Sequence, residues 1–136
     1  MKILCKCKNR LSTVRCPNPI EGKLIGAQDY EKIGNEVDQK IQEYMNAYVE
    51  KNHQKWLDDY FGEHYPKDIQ REEVLSDITT SVEQKYVLHI MECDSCGRLL
   101  VQKEIGSLDY YFYEPENKNY NELLKERESG RPRSFS

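Results

Sequence analysis

The sequence has no apolar run long enough to cross a membrane, and its first residues, "MKIL", offer only Ile3 and Leu4, too few for a secretory signal. It also contains no glycine-rich phosphate loop and no serine nucleophile elbow. Its histidines, His53, His64 and His89, stand apart from one another without a recognised catalytic spacing, and His89 is interpreted as a cross-strand packing residue. These absences predict a cytoplasmic protein that neither spans a membrane nor acts as an enzyme.

Positive charge is scarce in the middle of the chain. Residues 27–85 carry 14 acidic and 7 basic side chains, a balance of −7, whereas the remainder carries 10 acidic and 13 basic, a balance of +3. An acidic surface repels phosphate backbones and attracts basic proteins, so this segment favours a protein partner over nucleic acid. The opposite indication comes from a basic cluster around the first cysteines, formed by Lys2, Lys6, Lys8, Arg10 and Arg15.

Cysteine occurs as two tight pairs that lie far apart in the chain. Cys5 and Cys7 form a Cys-x-Cys motif, and Cys93 and Cys96 form a Cys-x-x-Cys motif followed by Gly97. Two thiolates at such spacing can point at one ion, and the glycine lets the backbone turn beneath it with its amide directed at a sulfur. Four thiolates complete a structural zinc site and leave no open position for catalysis. We therefore predict one structural Zn²⁺ held by Cys5, Cys7, Cys93 and Cys96.

Three other interpretations of the cysteines compete with this one. Cys16, in "CPNP", is either a small buried residue or a replacement for Cys5 or Cys7 as a ligand. A disulfide framework requires an oxidising compartment, of which the sequence gives no sign. A redox Cys-x-x-Cys requires a helix after its first cysteine, whereas a strand is predicted here. The spacing favours a metal over a disulfide or a redox site.

The pattern of apolar residues predicts helices in the middle of the chain and strands at both ends. Apolar residues recur at helical spacing from Tyr30 to Tyr60, which indicates one long helix that starts at an Asp29 cap and ends before Gly62. A second helix is predicted at 68–82. Short β-rich segments accompany both cysteine pairs and continue to "LDYYFYE".

These elements predict an α+β fold, a small zinc-ribbon-like antiparallel sheet split by a long helical insertion between the two cysteine knuckles. The split domain is placed at residues 1–114 and the insertion at about 29–84. The polar segment 115–136 is predicted to be a partly disordered tail with a marginal helix at 119–128. The metal would tie the N-terminal hairpin to the C-terminal sheet, which closes a long loop and stabilises the fold.

Three stretches resemble a loose group of small bacterial proteins that begin with a Cys-x-Cys motif and end with a Cys-x-x-Cys-Gly knuckle. They are "CKCKNRLS" at 5–12, "NPIEGKLIGAQDYEKI" at 18–33 and "ECDSCGRLLVQ" at 92–102. Members usually have glycine where this chain has Lys8 or Asn9, so its first knuckle is a variant. Some members resemble immunity proteins encoded beside polymorphic or contact-dependent toxins, and the resemblance therefore implies a toxin inhibitor.

We expect from this a zinc-binding immunity protein that neutralises a cognate basic toxin domain by direct contact. Toxin nucleases need basic surfaces to hold phosphate, and the acidic insertion complements such surfaces. Core packing is the competing role for about half of the insertion's aromatic residues. The alternative function is a nucleic-acid-associated zinc ribbon or small regulator that uses the basic cluster. The expected toxin contacts are Trp56, Asp58, Asp59, Tyr60 and Glu63.

Overall fold

The computed structural model describes residues 2–127, and contacts within the chain divide them into two units. Unit 1 comprises residues 2–24 and 88–127, and unit 2 comprises residues 25–87. Unit 1 is built from antiparallel strands and unit 2 from helices, so the predicted α+β class is confirmed. Within residues 2–127, no helix is both long enough and apolar enough to cross a membrane.

Unit 1 contains two antiparallel sheets. A two-stranded hairpin carries the first cysteine pair in its turn, and a four-stranded sheet of order β3-β4-β5-β6 carries the second pair between β4 and β5. Because β3 pairs with β4, all of unit 2 is inserted between two neighbouring strands. The strands are β1 (Lys2–Leu4), β2 (Arg10–Ser12), β3 (Glu21–Leu24), β4 (Leu88–Glu92), β5 (Leu99–Gln102) and β6 (Tyr110–Tyr113).

Side chains join the β1–β2 hairpin to the larger sheet, since no strand of one sheet pairs with a strand of the other among the described residues. Leu11 of the hairpin is 1% exposed, and Met91 and Leu100, which face each other across β4 and β5, are fully buried. Cys5 and Cys93 belong to the same apolar cluster. The cysteine pairs are therefore continuous with the core of unit 1.

The chain beyond β6 packs on unit 1 as an irregular segment. Glu92 is fully buried, and its carboxylate accepts hydrogen bonds from the backbone N–H groups of Asn121 (2.9 Å) and Leu123 (2.7 Å). The helix predicted at 119–128 is wrong over residues 119–127, because these N–H groups bond to Glu92 instead of to helical carbonyls. The rest of the predicted tail, residues 128–136, lies outside the described part of the chain.

Unit 2 folds around a core to which all three of its helices contribute. The second predicted helix is present but begins at Arg71, where Gln70 and Glu73 form a capping box. The core of unit 2 is aromatic on the α1 and α2 side and aliphatic on the α3 side. The helices are α1 (Ala27–Val49), α2 (His53–Phe61) and α3 (Arg71–Glu83), and their buried core residues are Tyr44, Leu57, Val74 and Ile78.

The prediction of a single long helix from the spacing is wrong, because the helix is interrupted between Val49, where α1 ends, and His53, where α2 begins. Lys51 adopts a φ of +61°, and the N–H groups of Lys51 and Asn52 bond to the carbonyls of Tyr48 (3.2 Å) and Ala47 (2.9 Å). This pair of bonds is a Schellman motif, which ends a helix with one left-handed residue. The predicted Asp29 cap is also wrong: Gly26 is the N-cap, without a side-chain bond.

Lys51→Gly is expected to stabilise unit 2 by up to about 1 kcal/mol, because glycine adopts a positive φ without the steric cost that lysine carries. Urea denaturation followed by the fluorescence of Trp56, the only tryptophan, measures the change. Lys55→Gly, inside α2, is the matched control and should instead destabilise by about 1 kcal/mol. Equal destabilisation by both substitutions would contradict the proposed helix end.

Candidate metal centre

The first knuckle is a tight turn between β1 and β2. The Cys5 N–H donates to the Asn9 carbonyl (2.9 Å), and the Lys8 N–H donates to the Cys5 carbonyl (2.9 Å). Lys8 closes the turn with a φ of +79°, a left-handed conformation that favours glycine. The turn directs the side chains of Cys5 and Cys7 toward the larger sheet, where both belong to or contact the apolar cluster.

The second knuckle repeats this construction with one more residue in the turn. The Cys93 N–H donates to the Arg98 carbonyl (2.8 Å), and the Gly97 N–H donates to the Cys93 carbonyl (2.8 Å). Gly97 has a φ of +79°, so the predicted role of glycine in the turn is correct. Its amide does not point at a sulfur as predicted; the backbone amides that bond to the Cys93 sulfur are those of Ser95 and Cys96.

The four predicted ligands converge on one point. The Sγ atoms of Cys5 and Cys96 lie 3.6 Å apart, as do those of Cys7 and Cys93, and all four lie within 4.8 Å of one another. A disulfide requires sulfurs about 2.0 Å apart. A tetrahedral ion with metal–sulfur bonds of about 2.3 Å places its sulfurs about 3.8 Å apart. The arrangement therefore has the dimensions of a tetrahedral metal site, and the four cysteines can hold a metal ion.

Two polar side chains that the sequence analysis did not assign to the site donate to its sulfurs. Asn9 Nδ2 lies 3.5 Å from Cys93 Sγ and 2.8 Å from an Asp94 carboxylate oxygen, and Arg98 Nη1 lies 3.5 Å from Cys96 Sγ. Four thiolates around a divalent ion leave two negative charges, which such donors and the nearby lysines offset. The only sequence signal for them is that each directly follows the left-handed residue that closes a knuckle turn, Lys8 before Asn9 and Gly97 before Arg98.

The two buried thiols, Cys5 and Cys93, differ in pKa because hydrogen bonds reach one sulfur and burial dominates at the other. Burial raises the pKa of Cys5 to about 12. Burial acts in the same direction on Cys93, but hydrogen bonds from the Cys96 amide and the Asn9 side chain outweigh it and lower the pKa of Cys93 to about 7. Cys93 therefore ionises before Cys5.

Cys16 lies outside this group. It is exposed and precedes a cis peptide bond to Pro17, whereas Cys5 and Cys7 both stand in the cluster. The four-sulfur set is thus complete without Cys16, and the alternative in which Cys16 replaces Cys5 or Cys7 finds no support in the geometry. The structure also gives Cys16 no buried packing role.

The predicted toxin contacts of unit 2 divide into exposed and internally engaged residues. Asp59 and Glu63 are exposed. Asp58 is exposed as well, but its carboxylate accepts hydrogen bonds from the Tyr65 hydroxyl (2.6 Å) and from Lys67 Nζ (3.2 Å). The bond from Tyr65 is the main cause that lowers the pKa of Asp58. Asp58 therefore ties the segment after α2 to that helix, which sequence reasoning did not foresee.

The two predicted aromatic contacts are half-buried. Tyr60 donates its hydroxyl to Asp77 (2.8 Å) and stacks on Trp56, with ring centroids 4.9 Å apart. Trp56 also packs against Tyr44, at 5.0 Å between centroids. Both rings thus contribute to the core of unit 2, as the competing interpretation anticipated, and Trp56 keeps part of its surface accessible.

Comparison with known proteins places the chain in a family. No curated protein and no solved structure matched it. A model of a domain family of unknown function, DUF8617, matches residues 1–121. The matched segment contains both cysteine pairs and the whole of unit 2. The chain therefore belongs to the DUF8617 family.

Proposed function

We propose that the four cysteines hold one structural zinc ion and that the chain is a bacterial immunity protein, which neutralises a cognate toxin domain by binding it. Tetrahedral sites with four sulfurs suit zinc or iron. Zinc fits the role proposed here because it is redox-inert and needs no further ligand once four thiolates surround it. The ion would supply fold stability in unit 1 and leave recognition to the protein surface.

The observation that carries the binding function is the charge of unit 2. Its residues 25–87 hold 14 acidic and 7 basic side chains, the whole −7 balance of the insertion. Of the expected contacts, Asp59 and Glu63 are exposed, and their carboxylates make no hydrogen bond or ion pair with other described residues. Free carboxylates near the end of α2, at Asp59 on the helix and at Glu63 just after it, are suited to accelerate association with a basic protein.

One observation favours the alternative, a nucleic-acid-associated protein. The basic side chains of the β1–β2 hairpin and of the segment just after it are all exposed, and Lys6 lies over the Phe112 ring at 5.0 Å. Phosphate binding needs such accessible cations. Offsetting the charge of the thiolate site explains the same residues, and for that reason we rank this function second. The exposed cations are Lys2, Lys6, Lys8, Arg10 and Arg15.

The proposal predicts that a toxin domain is encoded beside the gene, and that domain is the partner for the test. Co-production of the chain should restore growth, and the two purified proteins should form a complex. Asp59→Lys combined with Glu63→Lys should slow association roughly tenfold or more at low salt and weaken its salt dependence, because steering depends on these charges. Asp58 is left unchanged, since its loss would disturb unit 2 itself. Stopped-flow association rates at several salt concentrations measure the effect.

Lys6→Glu combined with Lys8→Glu is the matched control, because it changes the net charge of unit 1 by the same magnitude with the opposite sign. Immunity predicts an unchanged or faster association with the toxin for this variant. The alternative function predicts that the control variant loses nucleic-acid binding and that the unit 2 variant keeps it. Failure of the chain to protect cells or to bind the toxin would refute the immunity proposal.

A further inference from the structure

Unit 2 contains a groove between α1 and the start of α2. It has a volume of about 390 Å³ and is lined only by residues 43–59. Its floor is Ala47, which is buried at 7% exposure, and one wall is Trp56. The groove exists because the Schellman turn at Lys51 folds the chain back and because Ala47 is too small to fill the space between the helices.

The Trp56 ring that lines this groove is fixed by two neighbouring aromatic rings. Trp56 stacks on Tyr60 with an interplanar angle of 14° and packs at 46° against Tyr44. A ring fixed by its neighbours loses little conformational freedom when a partner covers it, which is typical of the aromatic anchors of protein interfaces. The exposed part of the indole is therefore a preformed surface.

The rim of the groove is acidic. Glu43, Glu50 and Asp59 surround it, with Lys55 as the one basic lining residue, which gives a local balance of −2. Glu43 forms a surface ion pair with Lys40 at 3.7 Å. The side-chain carboxylates of Glu50 and Asp59 have no hydrogen-bond or ion-pair partner among residues 2–127. The fold does not use these two carboxylates, although it uses Asp58, one position away, for an internal bond.

We infer that this groove receives arginine side chains of the protein partner, an inference that rests on the proposed function and locates its contact. A guanidinium can lie flat against the indole while its N–H groups reach carboxylates on the rim. Arginine suits this combination better than lysine, whose ammonium lacks the planar face. Unit 2 already contains one such contact, where the Arg71 guanidinium lies 4.7 Å from the Tyr48 ring.

The test uses the full chain and a blocked peptide in which four arginines alternate with glycine. Trp56 is the only tryptophan, so its emission reports on the groove directly. We expect a saturable change with the arginine peptide, a weaker one with the lysine analogue, and none with the glutamate analogue. Binding should weaken as salt rises. Glu50→Gln combined with Asp59→Asn should weaken it about fivefold or more, since two attractive charges are lost without a change of shape.

The control is Glu31→Gln combined with Glu72→Gln, which removes the same charge from exposed positions on α1 and α3 outside the groove. This variant should bind the peptide within twofold of the unchanged protein. The inference is overturned if no saturable emission change occurs, or if both double variants weaken binding equally, because the attraction would then be unspecific.

The toxin complex separates this inference from the proposed function. Faster dissociation of the toxin from Glu50→Gln/Asp59→Asn than from the control variant supports the groove as the contact. A toxin that binds and is neutralised equally by both variants overturns the groove and leaves immunity standing. Specific peptide binding at the groove in a chain that neither binds nor neutralises the toxin supports the groove and overturns immunity.

Discussion

Cys93→Ser is expected to abolish metal binding and to destabilise unit 1 by about 4 kcal/mol or more. Cys93 is fully buried and its sulfur faces that of Cys7 at 3.6 Å, so a hydroxyl there can neither complete a four-thiolate site nor replace the lost packing. A bound ion would cross-link residues separated by the whole of unit 2, and a cross-link over so long a loop contributes roughly 4–5 kcal/mol in chain-entropy models. The β1–β2 hairpin, which shares no ladder with the larger sheet, should be released first.

Elemental analysis and urea denaturation measure this prediction. The unchanged protein should carry one zinc per chain and remain colourless, whereas iron would give visible absorption. Cys16→Ser is the control: Cys16 is exposed and outside the cluster, so metal content should be unchanged and stability should stay within about 0.5 kcal/mol. Trp56 fluorescence reports on unit 2 and should show whether that unit survives the loss of the metal. A full complement of zinc in the Cys93→Ser protein would refute the ligand assignment.

The four-cysteine cluster was predictable from the sequence because its geometry is local at each knuckle. A Cys-x-x-Cys followed by glycine specifies both the ligand spacing and the left-handed residue that closes the turn, and Gly97 has that conformation. The first knuckle is less evident, since lysine occupies its left-handed position at Lys8. The two motifs were assigned to one site because together they supply four thiolates. The structure brings all four cysteines together.

The features that sequence reasoning missed depend on contacts between distant residues. The helix break at Lys51 has no glycine to mark it, and the periodicity of apolar residues continues across it. Asp58 looked like a free surface charge, but Tyr65 and Lys67 reach back to it. No sequence pattern assigned a role to Glu92, yet it is buried and its carboxylate accepts hydrogen bonds from the backbone of the C-terminal segment.

The second large effect is expected at Gly97, where alanine should destabilise unit 1 by about 3 kcal/mol or more. A Cβ at this position would lie 1.9 Å from the Asn119 carbonyl oxygen and 2.4 Å from its carbon. These are backbone atoms, so the clash cannot be relieved by a side-chain rotation and must displace the chain around residue 119. Strain at a φ of +79° adds about 1 kcal/mol. The displaced segment includes the two N–H groups that donate to the buried Glu92 carboxylate, so its displacement also leaves a buried polar group without hydrogen-bond partners.

Gly106→Ala separates the cost of a positive φ from the cost of the steric clash with residue 119. Gly106 has a φ of +81°, and nothing lies within 4 Å of the added Cβ. That variant should lose only about 1 kcal/mol. Urea denaturation compares the two, and hydrogen exchange at Asn121 and Leu123 shows whether their N–H groups still bond to Glu92. Metal analysis of the folded variants isolates the cause: Gly97→Ala should keep its ion, since all four sulfurs remain, and lose protection at Asn121 and Leu123. Equal destabilisation by the two alanines, with protection intact in both, would mean that the close approach of residue 119 to the knuckle does not stabilise the protein.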